Sequence, residues 1–204
     1  PGTTLGHGTN FFGGDQSTRV PFTVRLPGAE LAGRRVASVT RNIDMLPTVL
    51  DLVDRSRSRI VDLPSGIDGK NLVPLMTGER ESLDLAAFAE TCYLFYPKRV
   101  EGEDVYAMKP ADRTLRIDED FRHLFVLKEK YHDYVIDTKD RMMRTDRWKL
   151  VYIKGKRGPI WRLYDMHNDP GQTTDLSELD LPFVPFDAMR RALLRWIETG
   201  EATS

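Results

Sequence analysis

The chain has 204 residues, of which 40% are hydrophobic and 30% are charged, as expected for a globular protein that can bury a core. Thirty basic and 31 acidic residues leave a formal net charge of −1, which argues against nucleic acid or a membrane surface as a partner. The single cysteine, Cys92, excludes an internal disulfide bond. The length fits one domain or a domain with a small appendage.

The first third of the chain is predicted to form a loop, a strand and a helix. Residues 1–15 contain five glycines and no apolar periodicity, which predicts a loop. Residues 19–27 are mainly apolar and end at Pro27-Gly28, which predicts a strand and a turn. Apolar residues then recur with helical spacing, so we predict a helix over 44–53 with Asp44 as its N-cap. The predicted apolar face consists of Leu46, Val49, Leu50 and Val53.

The middle of the chain is less regular. Residues 85–96 are apolar and become rich in β-forming residues, so we predict a strand from about Ala87. Residues 98–122 are charged and irregular, as in an insertion. The stretches 123–130 and 134–144 are interpreted as strand pieces.

The last third predicts a hairpin, a turn and a helix. Residues 148–153 and 160–164 are rich in aromatic and β-branched residues and flank a glycine-containing turn, which predicts a β-hairpin. Residues 168–171 have the composition of a tight turn. Residues 186–199 have an amphipathic pattern, and Gly200 follows as a stop signal, which predicts a helix.

Several short segments occur in a fixed order along the chain, and this order is more informative than any single segment. They are Leu5-Gly6-His7-Gly8, Ser17-Thr18-Arg19-Val20-Pro21, Leu26-Pro27-Gly28, residues 43–52, residues 68–75, residues 144–152 and residues 163–173. In this order they resemble the C-terminal portion of the sulfatases, a family of the alkaline-phosphatase superfamily. The resemblance covers all of the chain except about residues 97–140.

The resemblance implies a reaction whose central group is missing from this chain. Sulfatases cleave a sulfate monoester with a formylglycine made from the Cys or Ser of a Cys-x-Pro-x-Arg sequence, and a divalent cation, usually Ca²⁺, polarises the sulfate. No Cys or Ser of this chain is followed by x-Pro-x-Arg. We therefore expect the nucleophile and most metal ligands to lie outside these residues, in a longer full-length protein, and we assign no catalytic or metal-binding residue here.

Two residues of the glycine-rich loop are candidates for substrate binding. His7 lies where the resemblance places the rim of the active site, although a loop histidine can also serve packing or solvation. Asn10 stands where many sulfatases carry a sulfate-binding lysine. An amide can donate a hydrogen bond to an oxyanion but brings no positive charge, so another cation would have to serve. The alternative for Asn10 is a turn-forming role.

Other polar and aromatic residues are interpreted as structural. We expect Arg19 to order the loop, and we expect His123 and His132 to be surface groups. We expect the tryptophans at 148, 161 and 196 to pack in the core or between layers.

The resulting prediction is an α/β fold with two parts. Residues 1–80 are expected to end a sulfatase-like sheet domain, and residues 81–204 to form a subdomain with a small antiparallel sheet and a terminal helix. The leading function is hydrolysis of a small sulfate ester by the full-length protein, with this chain inactive alone. The alternatives are a phosphodiester or phosphonate monoester hydrolase of the same superfamily, or a non-catalytic binding or assembly module. An exposed sheet face would allow an oligomer.

Overall fold

In a computed structural model, the protein is described over residues 15, 18–57, 66–91, 105, 111–179 and 181–200. The α-helices are α1 (Met45–Arg57), α2 (Val73–Thr77), α3 (Ala111–Thr114), α4 (His132–Asp137) and α5 (Phe186–Thr199). The strands are β1 (Ala87–Glu90), β2 (Leu115–Ile117), β3 (Phe125–Leu127), β4 (Arg141–Arg144), β5 (Trp148–Gly155) and β6 (Gly158–Asp165). Within this part of the chain, no helix is long and apolar enough to cross a membrane.

A four-stranded antiparallel sheet is the centre of the fold. Its strand order is β1-β4-β5-β6, and β2 and β3 form a separate two-stranded ribbon. The long hairpin β5–β6 pairs from Trp148 opposite Asp165 to Gly155 opposite Gly158. A side chain at Gly155 would place its Cβ 2.6 Å from the carbonyl oxygen of Gly158, so the tight turn requires glycine there.

Each face of the sheet buries a separate apolar core because side chains alternate along a strand. On one face, α5 packs against a core of Met143, Trp148, Leu150, Leu163, Met189 and Leu193. The opposite face carries a core of Met142, Val151, Ile153, Ile160, Tyr164 and Met166. The predicted fold class, with a small antiparallel sheet and a terminal helix, is confirmed.

Helix α5 has the predicted boundaries. Gly200 follows it with a φ of 73°, a left-handed conformation that favours glycine at a helix end. Trp196 stacks on Phe88 of β1 with ring centroids 5.4 Å apart, and Trp161 meets Phe186 edge to face at 6.2 Å. With Trp148 buried as well, the packing role expected for the tryptophans is confirmed.

Several expectations for individual elements are wrong. Residues 19–26 form no strand, and Val20, Phe22 and Val24 are exposed. A strand requires a partner, and none of the described strands pairs with this segment. The turn at Pro27-Gly28 is present as a short 3₁₀ helix in which Gly28 has a φ of 67°.

The middle of the chain contains more helix than we expected. Residues 134–144 are divided between α4 and β4, and the charged stretch before residue 122 includes α3 and β2. The strand predicted from Ala87 begins there but ends at Glu90, and Cys92 lies outside the described residues.

Helix α1 begins at the expected place but exposes its predicted apolar face. Leu46 is 57% exposed, Val49 52% and Val53 39%. The fully buried carboxylate of Asp44 explains why the helix turns a different face inward. It accepts hydrogen bonds from the backbone N–H of Lys70 at 2.8 Å and from the Arg41 guanidinium at 2.7 Å.

The Asp44 junction is completed by two further close contacts. The Thr48 hydroxyl accepts a hydrogen bond from the backbone N–H of Leu72 at 2.9 Å. A Cβ at Gly69 would lie 2.0 Å from the carbonyl oxygen of Ile43, so only glycine allows the two segments to approach this closely. Polar contacts therefore fix the start of α1 against residues 69–72.

We predict that Asp44→Asn destabilises the chain by about 2 to 3 kcal/mol, because it weakens a charge-assisted hydrogen bond and leaves a buried backbone donor poorly satisfied. Urea unfolding measures the difference. Asp68→Asn, an exposed substitution in the neighbouring segment, is the control and should change stability by less than about 0.5 kcal/mol. Equal effects of the two substitutions would contradict the structural role given to Asp44.

Candidate functional site

The structure describes the end of the glycine-rich loop at Asp15, and both candidate substrate-binding residues precede it. His7 and Asn10 lie outside the described residues, so their roles stay predictions. After Asp15 the chain makes a turn, in which the backbone N–H groups of Thr18 and Arg19 donate to the Asp15 carbonyl at 3.0 and 2.7 Å. The side chain of Arg19 is exposed.

Asp15 forms ion pairs with two neighbouring strands of the central sheet. Its carboxylate lies 3.1 Å from Nζ of Lys149 and 3.3 Å from Nε of Arg144. Arg144 on β4 and Lys149 on β5 are opposite each other in the strand register, so their side chains project from the same face. The sheet thus presents two adjacent cations to the residue that ends the glycine-rich loop.

Because Lys149 is buried, the stability of the fold depends strongly on its contact with Asp15. The Lys149 side chain is fully buried, whereas the side chains of Asp15 and Arg144 are each 19% exposed. Burial lowers the pKa of Lys149, the charge of Asp15 opposes that shift, and the nearby charge of Arg144 adds to it. A buried ammonium is expensive unless a carboxylate compensates it, so the position of Asp15 is coupled to the folding of the sheet.

A second polar cluster fixes the turn between β4 and β5. The carboxylate of Asp146 accepts hydrogen bonds from Ser38 Oγ at 3.1 Å and from Ser82 Oγ at 2.7 Å. The backbone N–H of Val39 donates to the same carboxylate. Three segments that are distant in sequence therefore meet beside the strands that carry Arg144 and Lys149.

A third cluster closes the far end of the hairpin. Asp165 accepts from Nη2 of Arg147 at 2.7 Å and from Nδ2 of Asn168 at 2.8 Å. These hydrogen bonds, opposed in part by burial, hold the pKa of the Asp165 carboxyl well below its usual range. The Arg147 guanidinium also lies 4.6 Å from the centre of the Trp148 ring. The turn predicted at residues 168–171 is present, and the side chains of this cluster are used in structural contacts.

The described residues do not supply a metal site. Among them, no group of three His, Cys, Asp or Glu side chains is arranged to hold a cation. The side chains of His123 and His132 are exposed, which agrees with the surface roles expected for them, and His167 is exposed as well.

Sequence reasoning missed the Asp15–Arg144–Lys149 cluster. One signal was available, because Lys149 shares a strand face with the apolar residues Val151 and Ile153 and is buried with them if both faces of the strand are covered. A lysine at such a position needs an acidic partner. Nothing in the local sequence identifies that partner, because Asp15 is 134 residues away.

We predict that Asp15→Asn destabilises the chain by about 2 to 4 kcal/mol, whereas Lys149→Met stays within about 1 kcal/mol of wild type. The first change removes a carboxylate that compensates a buried ammonium, and the second removes that ammonium. Denaturant unfolding of both variants and of the double variant tests the coupling. If Asp15→Asn were no more harmful than Lys149→Met, the ion pair would not hold the loop end.

The pH dependence provides a separate test. Since the pKa of Lys149 is lowered in the folded protein, the unfolded chain binds this proton more tightly, and stability rises as pH increases toward the ordinary lysine pKa of about 10.4. Loss of the Asp15 charge lowers the folded pKa further. The gain in stability between about pH 8 and 10 should therefore be larger in Asp15→Asn than in wild type.

Comparison with known proteins identifies sulfatases as relatives. No family model matches the chain. It is 25% identical over 162 residues to an N-acetylglucosamine-6-O-sulfatase of Bacteroides thetaiotaomicron, which covers 79% of this chain and 22% of the relative. It is also 25% identical over 183 residues to a Delta 4,5-hexuronate-2-O-sulfatase of the same organism, which covers 88% of this chain and 28% of the relative.

The match to a solved structure covers similar shares of the two chains. The chain matches a 2-O GAG sulfatase with 23% identity and a TM-score of 0.41, over 74% of this chain and 23% of that chain. The chain thus spans less than a third of the length of the curated relatives given above. The ordered segments found in the sequence agree with the curated relatives. The chain is similar to sulfatases over most of its length and corresponds to less than a third of the length of these two relatives.

Proposed function

We propose that this chain is part of a sulfuric ester hydrolase and acts in the cleavage of sulfate monoesters within a longer protein. The observation that carries the proposal is the ordered set of sulfatase-like segments, which coincides with sulfatase relatives over 79% and 88% of the chain. The contact between Asp15 and Lys149 supports it, because that contact joins the end of the glycine-rich loop to the sulfatase-like segment 144–152.

Within this proposal, the glycine-rich loop borders the substrate pocket. His7 and Asn10 are the proposed substrate-binding residues, and Asp15 ties the end of their loop to the sheet. The buried ammonium of Lys149 serves to hold Asp15, since its side chain is fully buried. The positive charge that Asn10 does not provide would then come from another residue of the longer protein.

The proposed substrate is a small sulfated sugar. The names of the two Bacteroides relatives specify a sulfated N-acetylglucosamine and a sulfated hexuronate, and both are sulfate esters of single sugar units. A divalent cation, with Ca²⁺ as our proposal, would be bound mainly by residues outside this chain and would polarise the sulfate. No nucleic acid or membrane is proposed as a partner.

The exposed apolar residues of the first 80 residues support a division into two parts. Val20, Phe22, Leu46, Val49 and Val53, which we call the apolar surface, are between 39% and 60% exposed. Leu46, Val49 and Val53 have the spacing of one face of α1, and an exposed apolar face is costly in water and typically marks an interface. We propose that residues 1–80 end a catalytic sheet domain whose remaining part covers the apolar surface, and that residues 81–204 form the adjoining subdomain.

The function is tested by hydrolysis of an aryl sulfate in the presence of Ca²⁺. We expect the longest product of the reading frame to turn over the ester, and this chain alone to show no turnover. Substitution of the upstream Cys or Ser in the longer product should abolish activity, because the formylglycine nucleophile could no longer form. Purification of that variant in folded form is the control.

Other results would lead to different conclusions. Turnover of a phosphodiester or phosphonate monoester in preference to the sulfate would favour the related hydrolase reaction. A longer product that hydrolyses none of these esters would favour a binding or assembly module. Turnover by this chain alone would contradict the expectation that the nucleophile lies elsewhere.

The proposal that the longer protein covers the apolar surface is tested with Leu46→Gln. In this chain, where Leu46 is 57% exposed, we expect stability to change by less than about 0.5 kcal/mol. In the longer product the same change should cost about 2 kcal/mol, because a covered leucine loses its burial. Thermal unfolding of both proteins measures the contrast. Concentration-dependent dimerisation of this chain that Leu46→Gln abolishes would instead show that a second copy covers the surface.

A further inference from the structure

A groove lies on the α5 side of the sheet, near the tip of the β5–β6 hairpin. Its volume is about 290 Å³, which is near the lower limit for ligand pockets. It is lined by Tyr152, Lys154, Pro159, Trp161, Arg190 and Leu194. Asp15 contacts Lys149 on the opposite face of the sheet. The groove is therefore separate from the contacts that hold the end of the glycine-rich loop.

The groove has an aromatic floor that the hairpin register creates. Tyr152 and Trp161 are opposite each other on β5 and β6, and their ring centroids lie 5.0 Å apart at an interplanar angle of 59°. Phe186 supports the Trp161 ring from the edge at 6.2 Å. Both floor residues are half-buried, so part of each ring remains accessible to a ligand.

Two cations border this floor. Lys154 Nζ lies 2.9 Å from Asp137, and Arg190 Nη2 lies 3.2 Å from Asp187. The Lys154 and Arg190 side chains are 31% and 44% exposed. Ion pairs at such exposure are weak, so an incoming anion can compete with the two carboxylates.

The adjoining turn increases the local positive charge. Lys156 and Arg157 occupy the two turn positions between β5 and β6. They add two cationic side chains near Lys154 and Arg190, although the whole chain has a net charge of −1. The groove therefore combines an aromatic floor with cationic side chains at its border.

We propose that this groove binds an anionic sugar unit, with the face of the sugar ring on Tyr152 and Trp161 and its sulfate or carboxylate at Lys154 and Arg190. A pyranose ring presents C–H groups on one face and polar groups at its edge, which matches an aromatic floor with cations beside it. The choice of a sulfated sugar rests on the proposed function. The inference goes beyond it by assigning a saccharide contact to the hairpin and α5.

The proposal is tested by calorimetric titration of this chain with a heparin-derived tetrasaccharide and with its desulfated counterpart. We expect the sulfated probe to bind, with an affinity that falls as salt is added, and the desulfated probe to bind about tenfold or more weakly. Lys154→Gln and Arg190→Gln should each reduce the affinity for the sulfated probe about three- to fivefold.

Two variants serve as controls. Arg55→Gln also removes a cation from an exposed ion pair, with Asp51, but it lies on α1 and should leave binding unchanged. Lys154→Arg retains the positive charge and should retain most of the affinity. Circular dichroism spectra of all variants establish that they are folded.

Three results would overturn the proposal. They are equal affinities for the sulfated and desulfated probes, equal losses in Lys154→Gln and Arg55→Gln, and tighter binding of oligothymidylate than of the tetrasaccharide at matched charge. Ester hydrolysis by the longer product is measured separately. Hydrolysis without groove binding overturns only this inference, whereas groove binding without hydrolysis overturns only the proposed function.

Discussion

The buried ammonium of Lys149 is the constraint on which the placement of the glycine-rich loop depends. A lysine side chain that is fully buried in a sheet must be compensated by negative charge, and Asp15 provides a carboxylate 3.1 Å away. Arg144 on the adjacent strand contacts the same carboxylate. The folding of the central sheet and the position of the loop end consequently depend on each other. A sheet that formed without Asp15 would lose a carboxylate that compensates this buried charge.

Polar junctions of this kind recur through the described part of the chain. Asp44 joins the start of α1 to Lys70, Asp146 joins the β4–β5 turn to residues 38–39 and 82, and Asp165 closes the far end of the hairpin. In each case one carboxylate accepts hydrogen bonds from groups that the chain brings from different segments. Apolar packing holds the two cores of the sheet, and these carboxylates determine how the irregular segments attach to it.

The sequence predicted the elements whose signals are local. The hairpin β5–β6 and helix α5 were predicted well because alternation, amphipathic spacing and Gly200 are local features. The strand over residues 19–27 was wrong because strand formation depends on a partner. The start of α1 was correct, but its buried face was not, because Asp44 and Thr48 direct that face inward through hydrogen bonds to residues 70 and 72. For the site, the family resemblance led to His7 and Asn10, which remain predictions, whereas Asp15 and Lys149 meet across 134 residues and no local pattern could pair them.

The complete burial of Lys149 also gives its amine an unusual chemical property. Acylating reagents and acetyl donors need an accessible, deprotonated amine, and this side chain is fully buried. Its modification would accordingly require local unfolding that exposes the amine. The rate of covalent modification of this one amine would therefore measure how often the part of the sheet around Lys149 unfolds locally.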